Sequence, residues 1–165
     1  MTIRSSILLL MCIIVVATPA LADAQSENKS VIQGFVAAGN NRDFDRLNKY
    51  VADDVVRHCQ ATPGLEVSNL DQFIAFMEAD VVVCPDSRVD VLQMVAESDR
   101  VAIWATYTGT QQGAMGPFPP SGNQMVLEFA AIFRFEENKI VEFWVIWDNM
   151  SALSQLGHFP PSESG

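Results

Sequence analysis

The chain has only three cysteines and two histidines, with no C-x-x-C pair and no His/Cys cluster at ligand spacing. That shortage argues against a metal centre of the zinc type, and no metal is expected. Positive charge is also scarce: 10 Lys and Arg stand against 20 Asp and Glu, a formal net charge of −10. A field of that sign repels nucleic acid and anionic membrane surfaces, so neither is expected as a partner. The charges fall singly or in pairs, as on an ordinary solvated surface. No internal repeat or low-complexity tract is present, and 165 residues suit one domain around one core. Long hydrophobic runs are missing, with one exception near the start, "ILLLMCIIVVATPA".

That exception is about 14 residues long, short of the ~20 needed to span a bilayer. It follows a leader carrying Arg4 and precedes "ALADA", small residues in the alternation a signal peptidase reads. Residues 1–24 are therefore expected to be a signal peptide, cut after Ala22 or Ala24, and residues 25–165 an exported domain, periplasmic or secreted. A retained membrane anchor is the other reading of the same run. Cys12 lies within it, which leaves Cys59 and Cys84 in the mature chain. A disulfide between these two would stabilise by ~3 kcal/mol; the alternative is two separate buried thiols.

The first half of the mature chain reads as mainly helical. "SENKSVIQGFVAAGN" sets Ile32, Phe35, Val36 and Gly39 on one face at helical spacing. "RDFDRLNKYV" predicts a second, short helix with Phe44, Leu47 and Val51 apolar, and "DDVVRHC" a short strand. "SNLDQFIAFMEADV" opens with a Ser-x-x-Asp capping pattern, Ser68 to Asp71. It then carries Leu70, Phe73, Ile74, Met77 and Val81 on one stripe until Pro85 prevents continuation.

The second half changes period. "RVDVLQMVAE", "RVAIWATYTGTQ", "QMVLEFAAIFRFE" and "KIVEFWVIW" are rich in β-branched and aromatic residues. "SD" at 98–99 and "EN" at 137–138 join them pairwise as hairpins, and a Gly/Pro-rich loop, "QGAMGPFPPSGN", joins the middle pair. Helices followed by an antiparallel meander indicate an α+β domain. The last two strands are apolar on both faces, so both faces are expected to be covered: one by the helices around a pocket, the other by the same chain or a second copy. A homodimer is the expected assembly.

One acid stands out. Asp148 ends the last apolar strand just where "DNMSALSQLG" starts a short helix, and it shares a strand face with Glu142 and Trp144. It can cap that helix, with Gly157 at the other end. If the face lines a cavity, a carboxylate among apolar groups holds a proton more readily and can shuttle one near neutral pH.

"DDVVRH", "VAESDRVAIWATYTGTQQG", "PFPPSGNQMVLEFAAIFR" and "KIVEFWVIWDNMSALSQLG" together resemble the SnoaL-like polyketide cyclases, or ester cyclases, of the nuclear transport factor 2-like superfamily, over about residues 28 to 160. The resemblance implies a cone-shaped α+β barrel, a curved antiparallel sheet wrapped by N-terminal helices around a deep apolar pocket. It implies intramolecular aldol-type cyclisation of a hydrophobic carbonyl substrate, without metal or cofactor. It also implies an acid/base aspartate in a "W-x-x-x-D" context, matched here by Trp144 and Asp148. His58 matches a "VxRH"-type strand ending and is carried as a second catalytic candidate, beside its reading as a structural histidine. Two positions depart from the pattern: Gln111 stands where "GTH" is common, and Ala131 where cyclases tend to place a second polar group.

Trp144, Trp104, Tyr107, Phe129, Gln111 and Glu142 are candidate ligand contacts. The four aromatics are core-forming first, and Glu142 is expected to pair with Arg134 across the hairpin. His158 is expected to be exposed. The rival to an enzyme is a non-catalytic module binding a small hydrophobic ligand in the same pocket, which export favours. An isomerase or hydrolase on the same scaffold is a third reading.

Overall fold

A computed structural model describes residues 19–159 of the chain. The leader and the apolar run up to residue 18 lie outside the described residues. Among the described residues, no helix is long and apolar enough to cross a membrane. The order of elements is α1 (Pro19–Asn40), a 3₁₀ helix (Phe44–Lys49), β1 (Val51–Cys59), α2 (Leu70–Val83), β2 (Arg88–Glu97), β3 (Arg100–Thr110), β4 (Gln124–Glu136), β5 (Lys139–Trp147) and α3 (Asn149–Gln155). The strands form one five-stranded sheet in the order β1-β5-β4-β3-β2.

β2 to β5 are the expected meander, with antiparallel pairing throughout. Both short turns are hairpins. Ser98, Glu137 and Asn138 take positive φ there, the backbone that matches the twist of the flanking strands. β1 corrects the all-antiparallel expectation, because it runs parallel to β5 at the sheet edge, with Arg57 opposite Phe143 and His58 opposite Trp144. The sheet is therefore mixed.

Two local readings also change. The predicted helix at 42–51 is shorter and tighter: Leu47 is buried in the 3₁₀ turn, and Val51 already belongs to β1, opposite Ile140. α2 is capped one residue later than expected. Asn69 Oδ1 accepts the Gln72 N–H at 2.9 Å, and Gln72 Oε1 accepts the Ser68 N–H at 2.9 Å, so Asn69 is the cap and Gln72 reaches back to the residue before it. Asp71 stays exposed. The cysteines are free: Cys84 is buried, and Cys59 is half-buried on β1. The two are not bonded to each other, and of the expected pair of buried thiols only Cys84 is buried.

The core lies between the helices and one face of the sheet. Phe35 of α1 meets Phe73 of α2 at 5.9 Å between ring centroids and Phe133 of β4 at 6.0 Å. Phe143 of β5 closes the cluster, 5.3 Å from Phe73 and 5.4 Å from Phe133. These contacts fall within the range of favourable aromatic pairing. They fill one end of the cone with rings. α1 can lie this close because Gly34 faces the Tyr50 ring, which any Cβ there would overlap.

Candidate functional site

Burial along the inward sheet face is graded. On β4 and β5 the inward side chains Ala131, Phe133, Phe135, Ile140 and Phe143 are buried; Phe129, Val145 and Trp147, further along the same face, are only half-buried, and Met125 and Leu127 beyond Phe129 are buried again. Tyr107 of β3 and Phe76 of α2 are half-buried as well. The aromatic end of the cone is thus packed shut, and the band of half-buried side chains toward the other end is partly open. α3 and the 111–123 loop flank the open end, through a second apolar cluster of Cys84, Met125, Leu127, Ala152 and Leu156 with Tyr107, Met115 and Trp147 against it.

Local bonding fixes these flanks. Gln111 is fully buried, donates from Nε2 to the carbonyls of Gly113 (3.2 Å) and Pro119 (3.1 Å), and accepts from His158 Nε2–H at 2.8 Å. The amide therefore ties the loop to the C-terminal tail. Gln155 of α3 brackets Val126, accepting its N–H at 2.8 Å and donating to its carbonyl at 3.0 Å. Past the end of β5, this covers an otherwise open strand edge.

Two polar groups sit among the apolar walls. Arg57 of β1 is 6% exposed, lies 4.5 Å over the Phe76 ring and 5.9 Å from the Trp147 ring, and donates from Nη1 to Thr62 Oγ1 at 3.1 Å. Burial lowers its pKa, and the neighbouring Cys59 raises it again. Asp80 of α2 accepts the Tyr107 hydroxyl at 2.8 Å and the Ser87 hydroxyl at 2.9 Å. Arg42 donates to Ser87 Oγ (3.0 Å) and to the Ser87 and Pro85 carbonyls (2.7 and 3.1 Å), which draws the end of α1 into the same network. Desolvation pushes the Asp80 carboxyl above the usual carboxylate range, although its hydrogen bonds and the Arg42 charge oppose this. Burial, then the Asp80 charge, push the Tyr107 hydroxyl up in turn. Cys84, alongside, is raised by burial.

The predicted site residues divide between the two sheet faces. Tyr107 and Phe129 are on the inward face at the open end. Trp144, Glu142, His58 and Trp104 belong to the outward face, so the face expected to line the pocket is the opposite one, while Asp148 lies past the end of β5 at the start of α3. The reason is parity: Phe143 is buried inside, which turns Glu142 and Trp144 out, and the parallel register turns His58 out beside Trp144. There His58 stacks on Trp144 at 5.1 Å and donates from Nε2 to Glu142 Oε1 at 2.8 Å. The expected Arg134–Glu142 pair forms at 2.9 Å. Hydrogen bonds from His58 and then Arg134 hold the Glu142 carboxyl below its ordinary value. Trp104 donates from Nε1 to Glu128 Oε2 at 3.1 Å.

Asp148 is exposed and caps α3: its Oδ1 accepts the N–H groups of Met150 (2.9 Å) and Ser151 (3.2 Å). Apolar enclosure of this carboxylate is not found. Gly157, at φ 78°, ends the helix as expected. Gln111 is a structural hub rather than a lining group, and His158 is half-buried against it and Phe118 rather than exposed.

Arg57, Asp80, Phe76 and Trp147 were missed as site residues. The signal was present: Arg57 has the inward parity of Val55, and Asp80 follows Met77 by three residues on the apolar stripe of α2. A charged residue at a core-facing position is informative.

Comparison with known proteins agrees with this architecture. No curated protein matches the chain. Among solved structures, AclR from Streptomyces galilaeus, proposed to be a hydroxylase, is 30% identical with a TM-score of 0.71, over 82% of this chain and 99% of that one. IdmH from Streptomyces antibioticus, proposed to be a polyketide cyclase, is 26% identical with a TM-score of 0.69, over 79% and 98%. A SnoaL-like protein from Jannaschia sp. shares the fold at 19% identity and a TM-score of 0.74, over 88% and 99%. A family model described as SnoaL-like polyketide cyclase matches residues 29–156. With its α+β fold of the nuclear transport factor 2-like kind, the chain belongs to the SnoaL-like polyketide cyclase family.

Proposed function

We propose that the open end of the cone receives a small hydrophobic carbonyl compound and that a carboxylate moves a proton alpha to the carbonyl. The supporting observation is the graded burial of the inward face, which leaves Phe129, Val145 and Trp147 available to an apolar ligand. The reaction breaks a C–H bond, and its electron pair forms an enolate. The enolate attacks a second carbonyl of the same molecule, and the new alkoxide takes the proton back. The family pattern assigns that proton to Asp148. Asp148 follows Trp147 at the end of β5, and its cap uses Oδ1, leaving Oδ2 without a partner among the described residues.

The exposure of Asp148 supports a second reading, in which the same end is a binding module and Asp148 only a cap. Likeness of fold does not choose between them, since a relative at 30% identity is proposed to be a hydroxylase. Exchange of the methyl protons of 1-acetylnaphthalene in D2O, followed by proton NMR, separates the two. The catalytic reading predicts acceleration by the protein and a fall of ~100-fold in Asp148→Asn. Binding of the ketone without accelerated exchange would establish the module instead.

A further inference from the structure

A guanidinium removed from water needs its charge and its donors met. Arg57 has little of either. Among the described residues no carboxylate lies within ion-pair distance of it, unlike Arg134, which sits between Glu136 and Glu142. Arg42 also lacks an acid, but its nitrogens are spent on Gly39, Pro85 and Ser87 oxygens. Arg57 spends Nη1 on Thr62 Oγ1, and its main-chain N–H on the Val67 carbonyl at 2.9 Å. Nε and Nη2 have no oxygen partner. Among the described residues no fully enclosed side-chain nitrogen or oxygen is left without a partner. These two donors are therefore not fully enclosed; the Cys59 thiol lies beside the guanidinium, and the Phe76 and Trp147 rings flank it.

We propose that Arg57 is an anion-binding residue: it takes the two coplanar oxygens of a delocalised oxyanion, a carboxylate or a 1,3-diketone enolate, on a ligand whose apolar body rests against Phe76 and Trp147. The planar fork of Nε and Nη2 matches such a pair of oxygens in a way an ammonium would not. The strongly acidic chain keeps anions away elsewhere, so the preference is confined to one buried cation. The inference rests on the reading that the open end takes an apolar ligand.

The test is a calorimetric titration with three probes: 1-naphthoate, neutral 1-naphthalenemethanol, and 1-phenyl-1,3-butanedione at pH values below and above its own enol ionisation. At least one anion should bind wild type about 10- to 100-fold tighter than its neutral counterpart. Arg57→Met should abolish that ratio with the alcohol bound as before, and Arg57→Lys should recover only part of it. A naphthoate preference identifies the carboxylate as the group recognised; tightening of the diketone as it ionises identifies the enolate. The wild-type ratios need no variant, so misfolding of Arg57→Met, checked by circular dichroism, does not spare the proposal. Equal binding of anions and neutrals overturns the role of Arg57 while leaving the apolar site intact. Failure of all three probes to bind overturns both.

Discussion

Asp148 shows how far residue-scale reasoning reaches. Its cap on α3 was legible from the sequence, but its place on the strand was not, because β5 ends at Trp147, one residue before it. Which face is inside was not, because β5 offers apolar residues both ways, Phe143 and Val145 inward, Trp144 and Ile146 outward, and parity is blind to direction. Asparagine caps nearly as well as aspartate, so Asp148→Asn should keep its stability within ~1 kcal/mol, whereas Asp148→Ala should lose about 0.5–2 kcal/mol in urea unfolding. Equal loss in both variants would mean that the charge, not the cap, matters. Asp80 makes the complementary prediction. Its folded pKa is raised above the ordinary 3.8 by burial, so the fold holds this proton more tightly than the unfolded chain does. Its stabilising effect is full below that ordinary value and is lost as pH rises through the raised folded value. Asp80→Asn, which cannot ionise, should therefore gain on wild type as pH rises through that window. Carboxyl NMR showing Asp80 titrating at or below its ordinary value would contradict this.

At the scale of elements, periodicity identified the helices and the meander well, while ends and partners were set by tertiary bonds. Val51 leaves the apolar stripe of the predicted helix because pairing with Ile140 recruits it into β1. The cap of α2 moved because Asn69 accepts the Gln72 N–H while Gln72 holds the Ser68 N–H, one step later than a Ser68–Asp71 box. The parallel docking of β1 carries no local signal at all, since a short strand reads alike in either direction. The 111–123 loop was visible as Gly/Pro-rich, but its anchor was not. Gln111→Leu should leave the Gly113 and Pro119 carbonyls and His158 without their buried partner, costing about 1–3 kcal/mol. Hydrogen exchange should then rise in the loop and at His158 together, and an unchanged tail would show that the two are not coupled through this amide.

For the molecule as a whole, the two faces of the sheet carry different roles. The outward face exposes Trp104 (43%), Val126 (51%), Ile132 (43%) and Ile146 (57%) in one sheet surface. We propose that a second copy of the chain covers these side chains. Sedimentation should find a dimer that Ile132→Lys converts to monomer; a monomeric wild type would refute this assignment. Export is tested separately, by intact mass of protein from the native host, which should begin at Asp23 or Gln25 rather than Met1. The central claim is that ligand enters the inward, open end. The three tryptophans divide cleanly for this purpose, Trp147 inward and Trp104 and Trp144 outward. Fluorine NMR of protein labelled with 5-fluorotryptophan, titrated with 1-acetylnaphthalene, should therefore show a saturable shift of the Trp147 resonance with Trp104 and Trp144 unmoved; shifts confined to Trp104 or Trp144 would place the ligand on the outer face and contradict the account.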